Sequence, residues 1–78
     1  MNLDNNSQKV KILAYMFYHE EGITPLEALN EFGCMRLGAR IWELKHKHQI
    51  PVEKKYEVVV TKDGTVKRYA RYYIKKGE

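Results

Sequence analysis

The sequence predicts a small α+β domain in which three helices are followed by a two-stranded β-hairpin. Three observations carry that prediction. Apolar residues recur at helical spacing as far as Ile50, the period shortens to two beyond Pro51, and glycines at 22, 33 and 64 stand where the pattern changes. With 78 residues there is room for one domain. Residues 1–6 are expected to form a flexible polar tail and residues 7–76 the folded unit.

Each element follows from local chemistry. Ser7 suits the N-cap of a first helix over residues 8–19, because its hydroxyl can accept from an otherwise orphan backbone N–H. Val10, Leu13, Ala14 and Phe17 share one face of it, widened by Ile12 and Met16, and Gly22 ends it. Thr24-Pro25-Leu26-Glu27 has capping-box spacing with proline at the first helical position, where the missing N–H costs nothing. Leu26, Leu29 and Phe32 form the expected buried side of this short second helix, and Gly33 fits the left-handed residue past its end. A tight turn through Cys34 leads to a third helix over residues 35–48. There Leu37, Ile41, Leu44 and His48 fall within an arc of about 60° at about 100° per residue. Arg36, Arg40, Glu43 and Lys47 share a second arc about 100° away, which is expected to face outward. No glycine stops this helix; His48-Gln49 stands there instead.

The β-branched and aromatic runs over residues 56–61 and 65–74, split by Lys62-Asp63-Gly64, signal a hairpin. A two-residue loop would set Val60 against Lys67 and mix polar with apolar residues on both faces. A three-residue loop with Gly64 in the left-handed position pairs Val60 with Val66, Val58 with Arg68 and Tyr56 with Ala70. The second register sorts the faces. Tyr56, Val58, Val60, Val66, Ala70, Tyr72 and Ile74 then line the expected core side, with Arg68 as the exception.

Composition narrows the function. A chain of this length buries only about 60% of the surface its unfolded form exposes, so a deep water-excluding catalytic cavity is not expected. There is no Ser/His/Asp nucleophile set and no Gly-rich phosphate loop, so the chain is not read as an enzyme. Cys34, the single cysteine, forms no internal disulfide and no zinc site by itself, and His46 and His48 project to different sides of a helix. No metal, cofactor or small-molecule ligand is expected. No run approaches the roughly 20 apolar residues of a membrane span, and the polar start lacks a cationic region followed by an apolar one, so a cytoplasmic location is expected.

Charge is unevenly placed. Residues 1–35 carry two basic and five acidic side chains, a balance of −3, whereas residues 36–78 carry twelve basic and five acidic, a balance of +7. A cationic half raises the local potential toward phosphates. Three helices and a hairpin, with a short second helix tightly joined to the third, is the order of a winged helix-turn-helix, in which the third helix enters the DNA major groove. Arg36 and Arg40, one turn apart, are the candidate base readers, since guanidinium forks match the O6/N7 edge of guanine. Glu43 either accepts from cytosine N4 or orients an arginine, and the readiness of Arg–carboxylate pairing favours the second. Lys45, Lys47, Lys62, Lys67, Arg68 and Arg71 are the candidate phosphate contacts, giving affinity rather than sequence choice. Gly38 inside the third helix suggests a close approach, with packing against another helix favoured over DNA. Trp42 is expected to fill the edge of the core, whereas Tyr69 and Tyr73 are candidates for an outer contact surface.

The run Thr24-Pro25-Leu26-Glu27-Ala28-Leu29, followed by Gly33-Cys34-Met35-Arg36-Leu37 and by Ala39-Arg40-Ile41, resembles the small helix-turn-helix proteins of bacteriophage and prophage genomes. Tyr69-Ala70-Arg71-Tyr72 is similar to their closing strand, so the resemblance spans about residues 8–74. It implies a DNA-binding winged helix of phage or mobile-element origin, acting as a transcription regulator or an excisionase-like accessory factor. Double-stranded DNA is the expected partner, with a homodimer or a second protein supplying the rest of the specificity. The alternative is a protein-interaction module that keeps the winged-helix frame and binds or inhibits a host or phage protein.

Overall fold

The computed structural model describes residues 7–75; the expected tail at residues 1–6 and the last residues of the expected domain lie outside them. The chain forms helices α1 (Gln8–Tyr18), α2 (Pro25–Phe32) and α3 (Leu37–His46), then strands β1 (Val52–Val60) and β2 (Val66–Ile74). This is the predicted α+β order.

The helix starts obey the sequence chemistry. Ser7 Oγ accepts from the Val10 N–H at 3.2 Å. At α2 both halves of the capping box are made: the Glu27 N–H donates to Thr24 Oγ1 at 3.1 Å, and the Thr24 N–H donates to Glu27 Oε1 at 3.0 Å. Gly33 takes the left-handed conformation at the end of α2. The third helix is shorter than expected at both ends. Arg36 is its N-cap rather than a helical residue, and no side chain caps it. At the far end Gln49 takes the left-handed conformation with φ 57°, and the Ile50 N–H closes on the Leu44 carbonyl at 2.9 Å. A residue with a side chain thus occupies the place where a glycine stop was missing from the sequence.

Ile12, Met16, Ile23, Ala28, Cys34, Leu37, Ile41, Leu44 and Val52 form the buried core, flanked by Leu13, Tyr15, Phe32, Ile50, Tyr72 and Ile74. The α3 face is the predicted one. Two others are rotated from expectation. In α1 the buried line is Ile12 and Met16, and Phe17 is exposed. In α2 the small Ala28 is buried, while Leu26 is 65% exposed and Leu29 also reaches solvent. Helical spacing alone did not choose between adjacent apolar stripes on so short a helix.

β1 and β2 pair antiparallel in the three-residue-loop register, with Val60 opposite Val66, Val58 opposite Arg68 and Tyr56 opposite Ala70. Gly64, at φ 87°, turns the loop. Ile23 adds a short bridge to the far side of β2, donating to the Tyr72 carbonyl at 2.7 Å and accepting from its N–H at 2.9 Å. The predicted core side of the hairpin holds only at its base. Val52, Tyr72 and Ile74 pack on the helices, whereas Tyr56, Val58, Val60 and Val66 are exposed. The strands outrun the helical layer, so one face begins in the core and ends in water.

Candidate nucleic-acid interface

α3 is held by its apolar side against the other helices, and Arg36, Gly38, Trp42, Lys45, His46 and Lys47 are exposed along it or at its ends. The burial of Leu37, Ile41 and Leu44 puts Trp42 and His46 on the opposite side. Trp42 is 55% exposed, with the His46 ring 4.8 Å away, so it does not fill the core edge as expected. Neither residue was among the candidate readers. Their signal was available in the sequence: both stand roughly opposite Ile41 and Leu44 on the helical wheel.

The second arc does not face straight outward. Arg40 Nη1 lies 3.2 Å from Glu43 Oε1, and Lys9 Nζ of α1 lies 3.9 Å from the same oxygen. Both are charge contacts, with neither aligned as a hydrogen bond, and that oxygen is buried. Arg40 and Glu43 therefore form one flank of α3 beside α1, each half-buried. Glu43 is placed to orient an arginine, the role that sequence reasoning favoured. Arg36 lies at the N-terminal end, exposed and off the helix.

The other flank of α3 meets the hairpin. Gly38, Trp42, Lys45 and His46 face Val52, Lys54 and Tyr72 across a cleft of about 240 Å³. A methyl group on Gly38 would meet only the Tyr72 hydroxyl, at 3.9 Å, so this glycine is not required by helix packing. The expectation of a close helix contact there is corrected: Gly38 opens onto the cleft. Further along the hairpin, Arg68 and Lys54 lie over the Tyr56 ring, at 5.1 and 5.2 Å from its centroid. Lys62 and Lys67 are exposed at and beside the loop.

Arg71 differs from the other candidate phosphate contacts. Its Nε donates to Glu57 Oε1 at 2.9 Å and its Nη1 lies 3.4 Å from Glu27 Oε1, with the side chain 13% exposed. Burial alone would lower its pKa, but the Glu57 hydrogen bond and the charges of Glu27 and Glu57 outweigh that and raise it. The same hydrogen bond, with help from Tyr69, lowers the Glu57 carboxyl. The charge of Arg71 is balanced inside the fold, where it ties β2 to β1 and to the start of α2, instead of reaching outward to a phosphate. Glu27, a capping residue, thus also anchors the hairpin, a link across 44 positions that nothing local in the sequence signals.

The arrangement is therefore a partly cationic helix, presented on a small helical core, with a cationic hairpin alongside. Comparisons with curated proteins and with solved structures returned no match. A family model described as a winged helix-turn-helix domain matches residues 7–77. That match takes in all three helices and the hairpin, and the chain belongs to the winged helix-turn-helix domain family, whose fold points to DNA binding.

Proposed function

We propose that the protein binds double-stranded DNA with α3 in the major groove and the hairpin, its wing, along the backbone. The observation that carries this reading is the exposed side of α3: Leu37, Ile41 and Leu44 fix the helix to the core while Arg36, Trp42, Lys45 and His46 stay in solvent. Arg36 is the leading base reader. Arg40 joins it from the α1 flank, steered by Glu43 at 3.2 Å. Trp42 adds an apolar surface able to meet a thymine methyl. Lys45, Lys47, Lys62, Lys67 and Arg68 are the phosphate contacts, and Arg71 is left out of that set because Glu57 and Glu27 already hold it. On this reading the protein serves as a regulator or an excisionase-like accessory factor, a role that its resemblance to small phage and prophage proteins supports.

Selection of bound fragments from random duplex DNA tests the proposal, followed by titration of the recovered site at several salt concentrations. Affinity falls steeply with salt, because phosphate contacts release counterions, and Lys67→Ala weakens all sequences alike while flattening the salt slope by about one. Arg36→Ala instead relaxes base choice at one position, at a cost of about 1–3 kcal/mol. Negligible affinity for every duplex at low salt would overturn the reading. The exposed Met35 and Trp42 then become the face of a protein-interaction module, the second reading.

A further inference from the structure

The two long edges of the wing are not alike. On β2, Ile23 exchanges both backbone bonds with Tyr72, and residues 24–27 flank a groove running along Lys67, Arg68, Tyr69 and Arg71. On β1 no strand pairs with the outer edge among the described residues.

The ladder geometry says what that edge displays. Because the Tyr72 N–H and carbonyl point to Ile23, the Lys54–Tyr72 pair exchanges no bonds within the hairpin. Bonded and non-bonded pairs alternate along an antiparallel ladder, and the Thr61 N–H bond to the Thr65 carbonyl at 2.9 Å fixes the same phase at the far end. The outward backbone groups of β1 therefore belong to Lys54, Tyr56, Val58 and Val60. The last three carry exposed apolar side chains on one face of the sheet. An open strand edge of this length is ordinarily blunted by charge, proline or a bulge. Glu53, Lys54 and Lys55 blunt its base; between Tyr56 and Val60 the only charge is Glu57, which is held by Arg71 on the opposite face.

We propose that β1 pairs antiparallel with β1 of a second copy of this chain, joining two wings into one four-stranded sheet. A two-fold axis that keeps like faces together allows few registers. An axis at Glu57 sets two carboxylates against each other, which is destabilising. An axis at Tyr56 sets Val58 against Lys54 and Val59 against Glu53, and one at Val59 sets Tyr56 against Lys62. An axis at Val58 sets Val58 against its own counterpart, Tyr56 against the second copy's Val60, Glu57 against Val59 and Lys55 against Thr61. Only this last register keeps the apolar residues opposite one another without a like-charge pair along the strand. Closure follows, because the outer edges of the joined sheet are the β2 edges that Ile23 and residues 24–27 already flank. A contact confined to one pair of strands falls in the weak size class, with a dissociation constant on the order of 10–100 µM.

This inference does not rest on DNA binding and is tested without DNA. Sedimentation equilibrium of the full chain across a range from about 1 µM to about 500 µM shows a transition from 9.3 kDa to twice that mass. Val58→Pro removes an outward N–H while leaving every bond between β1 and β2 in place, and proline is tolerated on an edge strand. Circular dichroism of that variant stays native and its dimer dissociation constant rises at least about tenfold. Val66→Lys, on the same face but on β2, leaves the dimer intact. A chain that stays monomeric throughout would overturn the proposal. So would a dimer that survives Val58→Pro, one that Val66→Lys dissolves, or association that continues past two copies.

Discussion

The base and the tip of the wing are built from the same kinds of residues, in the same two strands, yet they are different materials. Val52 at the base is 2% exposed, whereas Val58 and Val60 on the same face are 60% and 64% exposed. At the base the sheet is a third layer of the core, tied down by the Ile23–Tyr72 bridge and by Arg71 between Glu57 and Glu27. Beyond Tyr56 it stands free, held by its ladder and a well-bonded loop. The base sets stability and fixes where the wing stands relative to α3. The tip contributes little to stability, and its apolar residues are available for contact with another surface.

Two glycines test this division most severely. Gly22 and Gly64 both have positive φ, at 95° and 87°, but only Gly22 is packed: a methyl group there would lie 1.9 Å from the Tyr72 carbonyl oxygen, while nothing stands within 4 Å of one on Gly64. Gly22→Ala therefore forces β2 away from Ile23 and breaks the bridge. A loss of about 3 kcal/mol or more is expected. Gly64→Ala bears only the left-handed strain, about 1 kcal/mol. Urea denaturation of the two variants measures the difference, and equal midpoints would mean that the base does not anchor the wing.

A paired valine truncation follows. Val52→Ala removes methyl groups from the core and is expected to cost about 2 kcal/mol. Val58→Ala is expected to stay within about 0.5 kcal/mol of the parent when measured at concentrations where the protein is monomeric. If both variants lose the same amount, the tip is packed in solution against something beyond the described fold.

The same contrast explains what could be read from the sequence. The caps at Ser7 and Thr24, the left-handed Gly33 and the hairpin register were legible because each is written within a few residues by hydrogen-bonding chemistry or by alternation. The buried face of α3 was legible because Leu37, Ile41 and Leu44 leave one solution. Alternation along the hairpin reports which residues share a face, however, and not how far that face extends beyond the helices, so Tyr56, Val58, Val60 and Val66 were assigned to a core that ends before them. Arg71 had the composition of a phosphate contact, and its pairing with Glu27 depends on how α2 meets β2, which is a property of the whole fold. Arg40 and Glu43 were read on a helix in isolation; Lys9 of α1 supplies the neighbour that makes their arc a flank. Trp42 was misjudged because its size favoured burial, whereas its angle on the wheel favoured solvent.

The smallest expected effect lies in the loop at the tip, where Asp63 organises the turn. Its carboxylate accepts from the Thr61 hydroxyl and, at 3.0 Å, from the Thr65 N–H. The Thr61 hydrogen bond, followed by those of Thr65, lowers its pKa from an ordinary 3.8 to about 2. A depressed carboxyl stabilises the folded loop fully above its unfolded pKa, and that contribution fades as pH falls from about 4 toward 2. The amide signal of Thr65 is therefore expected to titrate with a midpoint near 2, and Asp63→Asn to erase that transition because an amide does not ionise. The bridge between Ile23 and Tyr72 is made of backbone groups that do not titrate, so their amide signals should hold through the same range. If the Ile23 and Thr65 signals moved together, acid would be opening the wing as one unit and the division between base and tip would fail.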